Sequence, residues 1–346
     1  MMIHGGDVLS YSGKYEGEII DFSSNINPLG PPDGLKEVLI AAYNELVCYP
    51  DIKYRELKAN VAAYLGCDQD QVILGNGAME IINNVCLLFK RVVVFTPCFI
   101  EYIKRPKVLG KRVLKLPLAE GFSIDLEKLE NILQAGDLLI LGNPNNPTGL
   151  RIPEPVLKAV YDLVISKDAF LLLDEAFFEF CPADYDSISL FKTESNVCIV
   201  RAATKFFALP GLRLGYGFAP TGFAQRYTEI EMPWSVNAFA NAAGRCIFKD
   251  KAYIERTKKY INKEREYMLK CLSQVKWVKA FNSHANFILL KLMKYDEDIV
   301  FDKFIKQGFM IRKASTFDGL DKSYIRVAVK DHQSNQKLID LFQGWA

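Results

Sequence analysis

Between residues 71 and 219, short and continuously apolar runs alternate with windows of helical periodicity. The runs are "QVILG", "RVVVFTP", "KRVLKLPL", "DLLILGNP", "AFLLLDEA", "VCIVRA" and "RLGYGFA". Segments such as "VVVF", "LLIL" and "FLLL" have no polar alternate positions, as expected of strands covered on both faces. The helical windows between them run from about Ala78 to Phe89, up to Gly110, over 125–134 and over 153–166. Strand and helix in strict alternation predict an α/β fold with a largely parallel sheet.

The flanks read differently. Residues 1–32 are polar, rich in Gly and Pro, and close on "NINPLGPP"; two amphipathic helical windows follow, "LKEVLIAAYNELV" and "YRELKANVAAYLG", the second stopped by Gly66. After about residue 236 a long helix is expected over 250–275. Beyond it come the strands "WVKAF" and "NFILLKL", a helix near 295–307, the strands "GFMIRKA" and "YIRVAV", and a last helix at 334–343. We therefore expect an N-terminal arm or part of the small domain over 1–32, a large domain over 33–235, and a small α+β domain over 236–346.

Composition removes several classes of function. Lys and Arg number 43 against 41 Asp and Glu, a balance of 43 − 41 = +2, too little surplus for a protein built to neutralise nucleic-acid phosphates. Only three histidines are present, so no multi-histidine metal site is expected. The eight cysteines form no C-x-x-C pair and sit mostly in apolar runs, where a free thiol behaves as a small core residue. No apolar run reaches the ~18 residues needed to cross a bilayer. The start "MMIHGGDVLS" carries no secretory signal, so a cytoplasmic location is expected.

Four segments carry chemistry, each at the end of a predicted strand, where parallel α/β sheets place their ligands. Gly75-Asn76-Gly77-Ala78 lets backbone N–H groups and a helix N-terminus approach an anion, although alone it is also an ordinary strand-to-helix turn. Asn143-Pro144-Asn145-Asn146-Pro147-Thr148-Gly149 is a rigid turn that presents several amides. Asp174-Glu175 puts carboxylates at the mouth of a buried strand, where they need a cation or donors. Lys205, within "TKFFALPGLR", sits in apolar surroundings that can make an amine nucleophilic.

Together, "NPNNPTG…DEAF…TKFFALPGLRLGY" resembles the fold-type-I aminotransferase family, which uses pyridoxal 5′-phosphate (PLP). The resemblance spans nearly the whole chain. It implies a large domain with a mainly parallel seven-stranded sheet and a small α+β domain. Residue by residue, it implies that Lys205 holds the PLP aldehyde and that Asp174 pairs with the ring nitrogen, keeping it protonated. Asn146 meets the ring hydroxyl oxygen, and Gly77, Ala78, Thr204 and Arg213 hold the phosphate. Tyr102 stacks on the ring, and Tyr54 reaches the phosphate of a neighbouring subunit, which implies a homodimer. Two positions depart from the common pattern. Phe177 stands where many relatives have Tyr, and Ala202 stands where a hydroxyl residue is common.

Within the family the chain is similar to the histidinol-phosphate aminotransferases and to the L-threonine-O-3-phosphate decarboxylases of cobalamin biosynthesis. The opening "HGGDV…IDFSSNINPLGPP" and the stretch "IRKASTFDGLDKSYIRVAV" are more similar to the decarboxylases. By that resemblance Arg326 binds the substrate carboxylate bidentately, His4 and Arg312 bind its phosphate, and Asn27 and Asn146 complete the substrate site. The expected reaction is decarboxylation of threonine phosphate to 1-amino-2-propanol phosphate, with serine phosphate as a further substrate. The alternative is transamination of histidinol phosphate with 2-oxoglutarate.

Overall fold

A computed structural model describes residues 4–345. Its strands, in chain order, are β1 (Ile20–Asp21), β2 (Val72–Asn76), β3 (Arg91–Thr96), β4 (Arg112–Pro117), β5 (Asp137–Gly142), β6 (Phe170–Asp174), β7 (Val197–Ala202), β8 (Leu214–Phe218), β9 (Val278–Ala280), β10 (Phe287–Leu292), β11 (Phe309–Met310), β12 (Arg312–Lys313) and β13 (Tyr324–Ala328).

Seven of these form one sheet in the order β2-β8-β7-β6-β5-β3-β4. The central pairs β3–β5, β5–β6 and β6–β7 are parallel, as is β3–β4 at one edge, while β8 runs antiparallel to both β7 and β2. Both faces are covered. Leu139, Leu171, Leu173 and Ile199 share one core with Leu157, Val160 and Val164 of the helix Glu154–Ser166. Ile140, Leu172, Cys198 and Val200 point the other way, onto Ile81, Ile82 and Val85 of the helix Ala78–Leu87. Each such burial contributes up to roughly 1.5–3 kcal/mol, which is why these strands carry no polar alternation. Edge strand β4 is more open, with Arg112, Lys115 and Pro117 exposed.

The second sheet, β12-β13-β10-β9, is antiparallel throughout. It packs beside the long helix Lys251–Leu272 and the last helix His332–Gln343. The run "GFMIRKA", expected as one strand, is two. β11 pairs in parallel with β1, Ile20 opposite Phe309, whereas β12 pairs with β13. The chain changes partners at buried Ile311, so the start of the chain is stitched to its C-terminal part. The window 35–47 also divides, into an α-helix Leu35–Ala42 and a 3-10 turn Tyr43–Val47.

The four chemistry-bearing segments converge on one side. Asp174 closes β6, Ala202 closes β7, and Asn143 follows β5. Because β8 is antiparallel, Arg213 just before it lies at the same end, where Leu214 is opposite Asn76. Among the described residues no helix is long and apolar enough to cross a membrane, and no cluster of three or more His, Cys, Asp or Glu could hold a metal ion.

Candidate active site

A cavity of about 240 Å³ opens at these strand ends. It is lined by Ala78, Tyr102, Asn146, Asp174, Thr204, Lys205 and Arg213 from the large sheet and its loops, and by His4, Arg312 and Arg326 from the arm and the small sheet. Of the residues singled out from sequence, Gly77, Asn27 and Tyr54 are not in the lining.

Lys205 lies in the turn after β7. Desolvation first, then the neighbouring Arg326 and Arg213 charges, lowers its ammonium to about 8, so about a tenth of the amine is neutral at pH 7. Its peptide is braced from behind. Asn27 N–H donates to the Lys205 carbonyl (3.1 Å), and Asn27 Nδ2 and Tyr253 O–H both donate to the Phe206 carbonyl (2.8 and 2.9 Å). This explains why Asn27 does not reach the cavity: its amide is spent on the backbone that presents the lysine.

Asp174 is buried. Desolvation pushes its carboxyl above the ordinary carboxylate value, opposed by donation from Tyr102 O–H (2.6 Å) and Ala176 N–H (3.0 Å). The adjacent Glu175 turns the other way, into a buried ion pair with Arg201 (2.8 Å), with Ser187 Oγ donating to its other oxygen (2.5 Å). The two carboxylates, indistinguishable in sequence, thus have separate tasks.

The asparagines of the rigid turn divide similarly. Asn143 Oδ1 accepts from Ile152 N–H (2.9 Å) and Asn145 Nδ2 donates to the Pro97 carbonyl (3.0 Å), both holding the loop. Only Asn146 faces the cavity, where its Oδ1 accepts from Arg326 Nη1.

At the other wall Arg213 has left-handed backbone (φ 64°), an uncommon conformation for a residue with a Cβ, and its guanidinium lies against Gly77. A Cβ at Gly77 would sit 2.3 Å from Arg213 Nη2. Gly77 (φ 80°) also caps the helix Ala78–Leu87, so a guanidinium and a helix N-terminus meet at one point, a setting for an anion.

Arg326 is buried. Its Nη2 donates to the Ser23 carbonyl (2.8 Å) and its Nε has no partner; desolvation and the Arg312 charge lower it to about 9. Desolvation lowers Arg312 to about 10, and its Nη2 donates to Thr316 Oγ1 (2.7 Å). His4 reaches the rim through Nε2, 3.0 Å from Glu101 Oε1.

The cavity suits the cofactor implied by the sequence. A pyridine nitrogen needs a buried carboxylate, which Asp174 supplies; an aldehyde needs a neutral amine, and a phosphate a cationic helix N-terminus. The walls also contain residues that sequence reasoning passed over, namely Ser23, Ser24, Asn25 and Phe317. The first three have one signal, the polar cluster "SSN" directly after "IIDF", and Phe317 has none. Phe177 and Ala202, the two departures, both line the cavity, and Phe177 packs edge-on against Phe287 (5.0 Å between centroids). Tyr54 lies elsewhere, its hydroxyl donating to the Val236 carbonyl (2.9 Å) and its backbone left-handed (φ 47°).

Comparison with known proteins adds three findings. The family model for aminotransferase class I and II matches residues 17–342. A protein of Caldanaerobacter subterraneus subsp. tengcongensis, provisionally assigned as a threonine-phosphate decarboxylase, is 43% identical over 99% of this chain and 93% of its own. The threonine-phosphate decarboxylase of Salmonella typhimurium is 33% identical over 97% and 94%. The crystal structure of the histidinol-phosphate aminotransferase from Clostridium acetobutylicum superposes with a TM-score of 0.90 at 35% identity, covering 94% of this chain and 98% of that one.

Proposed function

The chain belongs to the aminotransferase class I and II family, whose cofactor is pyridoxal 5′-phosphate, and from that premise we propose that it decarboxylates L-threonine O-3-phosphate in cobalamin biosynthesis. One observation carries the reading. Two guanidiniums, Arg312 and Arg326, and the imidazole of His4 line the cavity that holds Lys205, matching a substrate with a carboxylate at one end and a phosphate at the other. The named relatives at 43% and 33% identity support the same choice.

When bound, pyridoxal phosphate supplies an electron sink for the bond broken at the substrate's Cα. The protein's share is positional. Asp174 is the partner of the ring nitrogen, and Tyr102 orients Asp174. Asn146 meets the ring hydroxyl. Gly77, Ala78, Thr204 and Arg213 hold the cofactor phosphate. Arg326 grips the substrate carboxylate, with Asn146 tying that guanidinium to the cofactor side. Arg312 and His4 hold the substrate phosphate. Lys205 Nζ would hold the aldehyde, and the same Nζ, once protonated, would supply the proton that replaces the lost carboxyl at Cα. Holding both anionic ends would fix how the substituents of the substrate's Cα are presented in the cavity.

L-serine O-phosphate differs by one methyl, worth about 1–3 kcal/mol in an apolar pocket, and is a slower second substrate in this reading. The division into an arm (1–32), a large domain (33–235) and a small domain (236–346) is part of the proposal, the site lying where they meet. So is a homodimer. Ile40, Tyr43, Leu46, Val47, Tyr49 and Ile52 are exposed apolar side chains in the segment just before Tyr54, with Val47 88% exposed, the kind of residue a subunit interface covers.

The test is to incubate the pyridoxal-phosphate-loaded protein with L-threonine O-phosphate. Release of CO₂ and 1-amino-2-propanol phosphate is expected. The second reading, histidinol-phosphate transamination, is favoured by the 35% identical aminotransferase structure. A keto product from histidinol phosphate, without CO₂ release from threonine phosphate, would establish it instead.

A further inference from the structure

The arm that carries His4 is pinned at three points. Gly6 N–H donates to Ser23 Oγ (2.9 Å). Gly5 passes so close to the same residue that a Cβ there would sit 2.1 Å from the Ser23 carbonyl oxygen, the oxygen that accepts from Arg326. The third point is His4 itself, whose Nε2 meets Glu101 Oε1 at 3.0 Å while its ring leans on Phe99. The arrangement is asymmetric. The His4 side chain is half exposed, whereas Glu101 is almost covered. Glu101 also opens the short helix Glu101–Val108, and the next residue, Tyr102, donates to Asp174. One helical turn therefore holds the carboxylate at the cavity floor and the imidazole at its rim.

A carboxylate placed next to an anion-binding wall is unfavourable for the anion unless it does something else. Here it faces an imidazole carried on an irregular segment without helix or strand of its own.

We infer that Glu101 is a positioning residue for the phosphate end of the substrate, acting through His4; this rests on the decarboxylase reading. Its carboxylate, 3.0 Å from Nε2, keeps the imidazole at the cavity rim, where a ring nitrogen can meet a phosphate. The competing role is a purely structural acid in the first turn of a helix, and the two predict different results.

The holoenzyme is compared with Glu101→Ala and Glu101→Gln, the latter keeping the size and one acceptor oxygen. We expect KM for L-threonine O-phosphate to rise about fivefold in Glu101→Ala, as for a half-exposed ion pair, with kcat within about twofold and turnover of unphosphorylated L-threonine unmoved. In parallel, ¹³C-histidine labelling resolves the rings of His4, His284 and His332. Inorganic phosphate shifts the His4 signal in the parent protein and does so more weakly in both variants. Equal losses on phosphorylated and unphosphorylated amino acids, or an unchanged phosphate titration of His4, would overturn the assignment. If the parent protein released no CO₂, the decarboxylase reading would fail, while the phosphate titration would still decide the role of Glu101.

Discussion

Arg312 and Arg326 stand directly opposite each other across the antiparallel pair β12–β13, and both guanidiniums lie near the ring of Phe317, at 5.1 and 5.8 Å. Like charges in opposed sheet positions repel, and both groups have lost water. The pair therefore opposes the ligand-free fold and is relieved by an anion placed between the arms.

The first prediction follows from this. Arg312→Leu relieves this repulsion but also removes hydrogen bonds to Thr316 and the Lys313 carbonyl, so the ligand-free melting temperature changes by only a few degrees. The same change raises KM for the phosphorylated substrate by at least about tenfold, the loss of one charge-assisted hydrogen bond. Inorganic phosphate stabilises the parent protein against heat and the variant much less. A variant that melts well below the parent would contradict the first half.

Lys205 gives a pH dependence with a definite sign. Its folded value, about 8, lies below the ordinary 10.5, so the unfolded chain binds more protons between those limits. The contribution of this group to stability therefore rises as pH climbs from 8 towards 10.5. Capture of pyridoxal phosphate, followed by the yellow absorbance it produces, accelerates through the same lower limit as the amine becomes neutral. Borohydride fixes the label to Lys205, detected by peptide mass, and Lys205→Ala takes up none there.

Asp174 behaves in the opposite sense. Burial raises its carboxyl above 3.8, so the folded cofactor-free protein binds more protons than the unfolded chain. Stability from this group is fully present below the unfolded value and lost as pH rises through the folded one. Asp174→Asn should thus raise the melting temperature of the cofactor-free protein at neutral pH while lowering kcat by roughly a hundredfold or more, as expected when a preorganised charge is removed. Equal melting with full activity would show that the ring nitrogen does not use this carboxylate.

Association is tested at Val47. Replacing this exposed side chain by Glu is expected to shift sedimentation from dimer towards monomer and to weaken cofactor retention, since Tyr54 lies a few residues further along. Tyr49, stacked on Trp234 at 4.5 Å, supplies a fluorescence probe for the same surface. A parent protein that is monomeric and fully active would refute the shared site.

What the sequence discloses about the site follows from where each residue sits. The segments that hold Lys205, Asp174, Asn146 and Arg213 are legible because strand ends of a parallel sheet share one edge, and the resemblance picks out the individual residues. Arg326 lies on a regular strand and was read by resemblance. Resemblance picks Asn27 for the substrate site and passes over Asn25. Both lie in the same irregular segment, where side-chain direction has no period, and only the fold shows that Asn27 serves the Lys205 peptide while Asn25 lines the cavity. Glu101 gave no signal at all, since an acid in the first turn of a helix is ordinary. The break at Ile311 was hidden because both halves of "GFMIRKA" are strand-like and only their partners differ.

The pairing of β1 with β11 has a consequence for biosynthesis. A ribosome releases the opening segment long before Phe309 and Met310 exist, so that segment has no lasting partner during most of translation. The substrate end of the site, where Arg326 donates to the Ser23 carbonyl, can close only once the polypeptide is nearly finished, and until then the nascent protein offers no complete site.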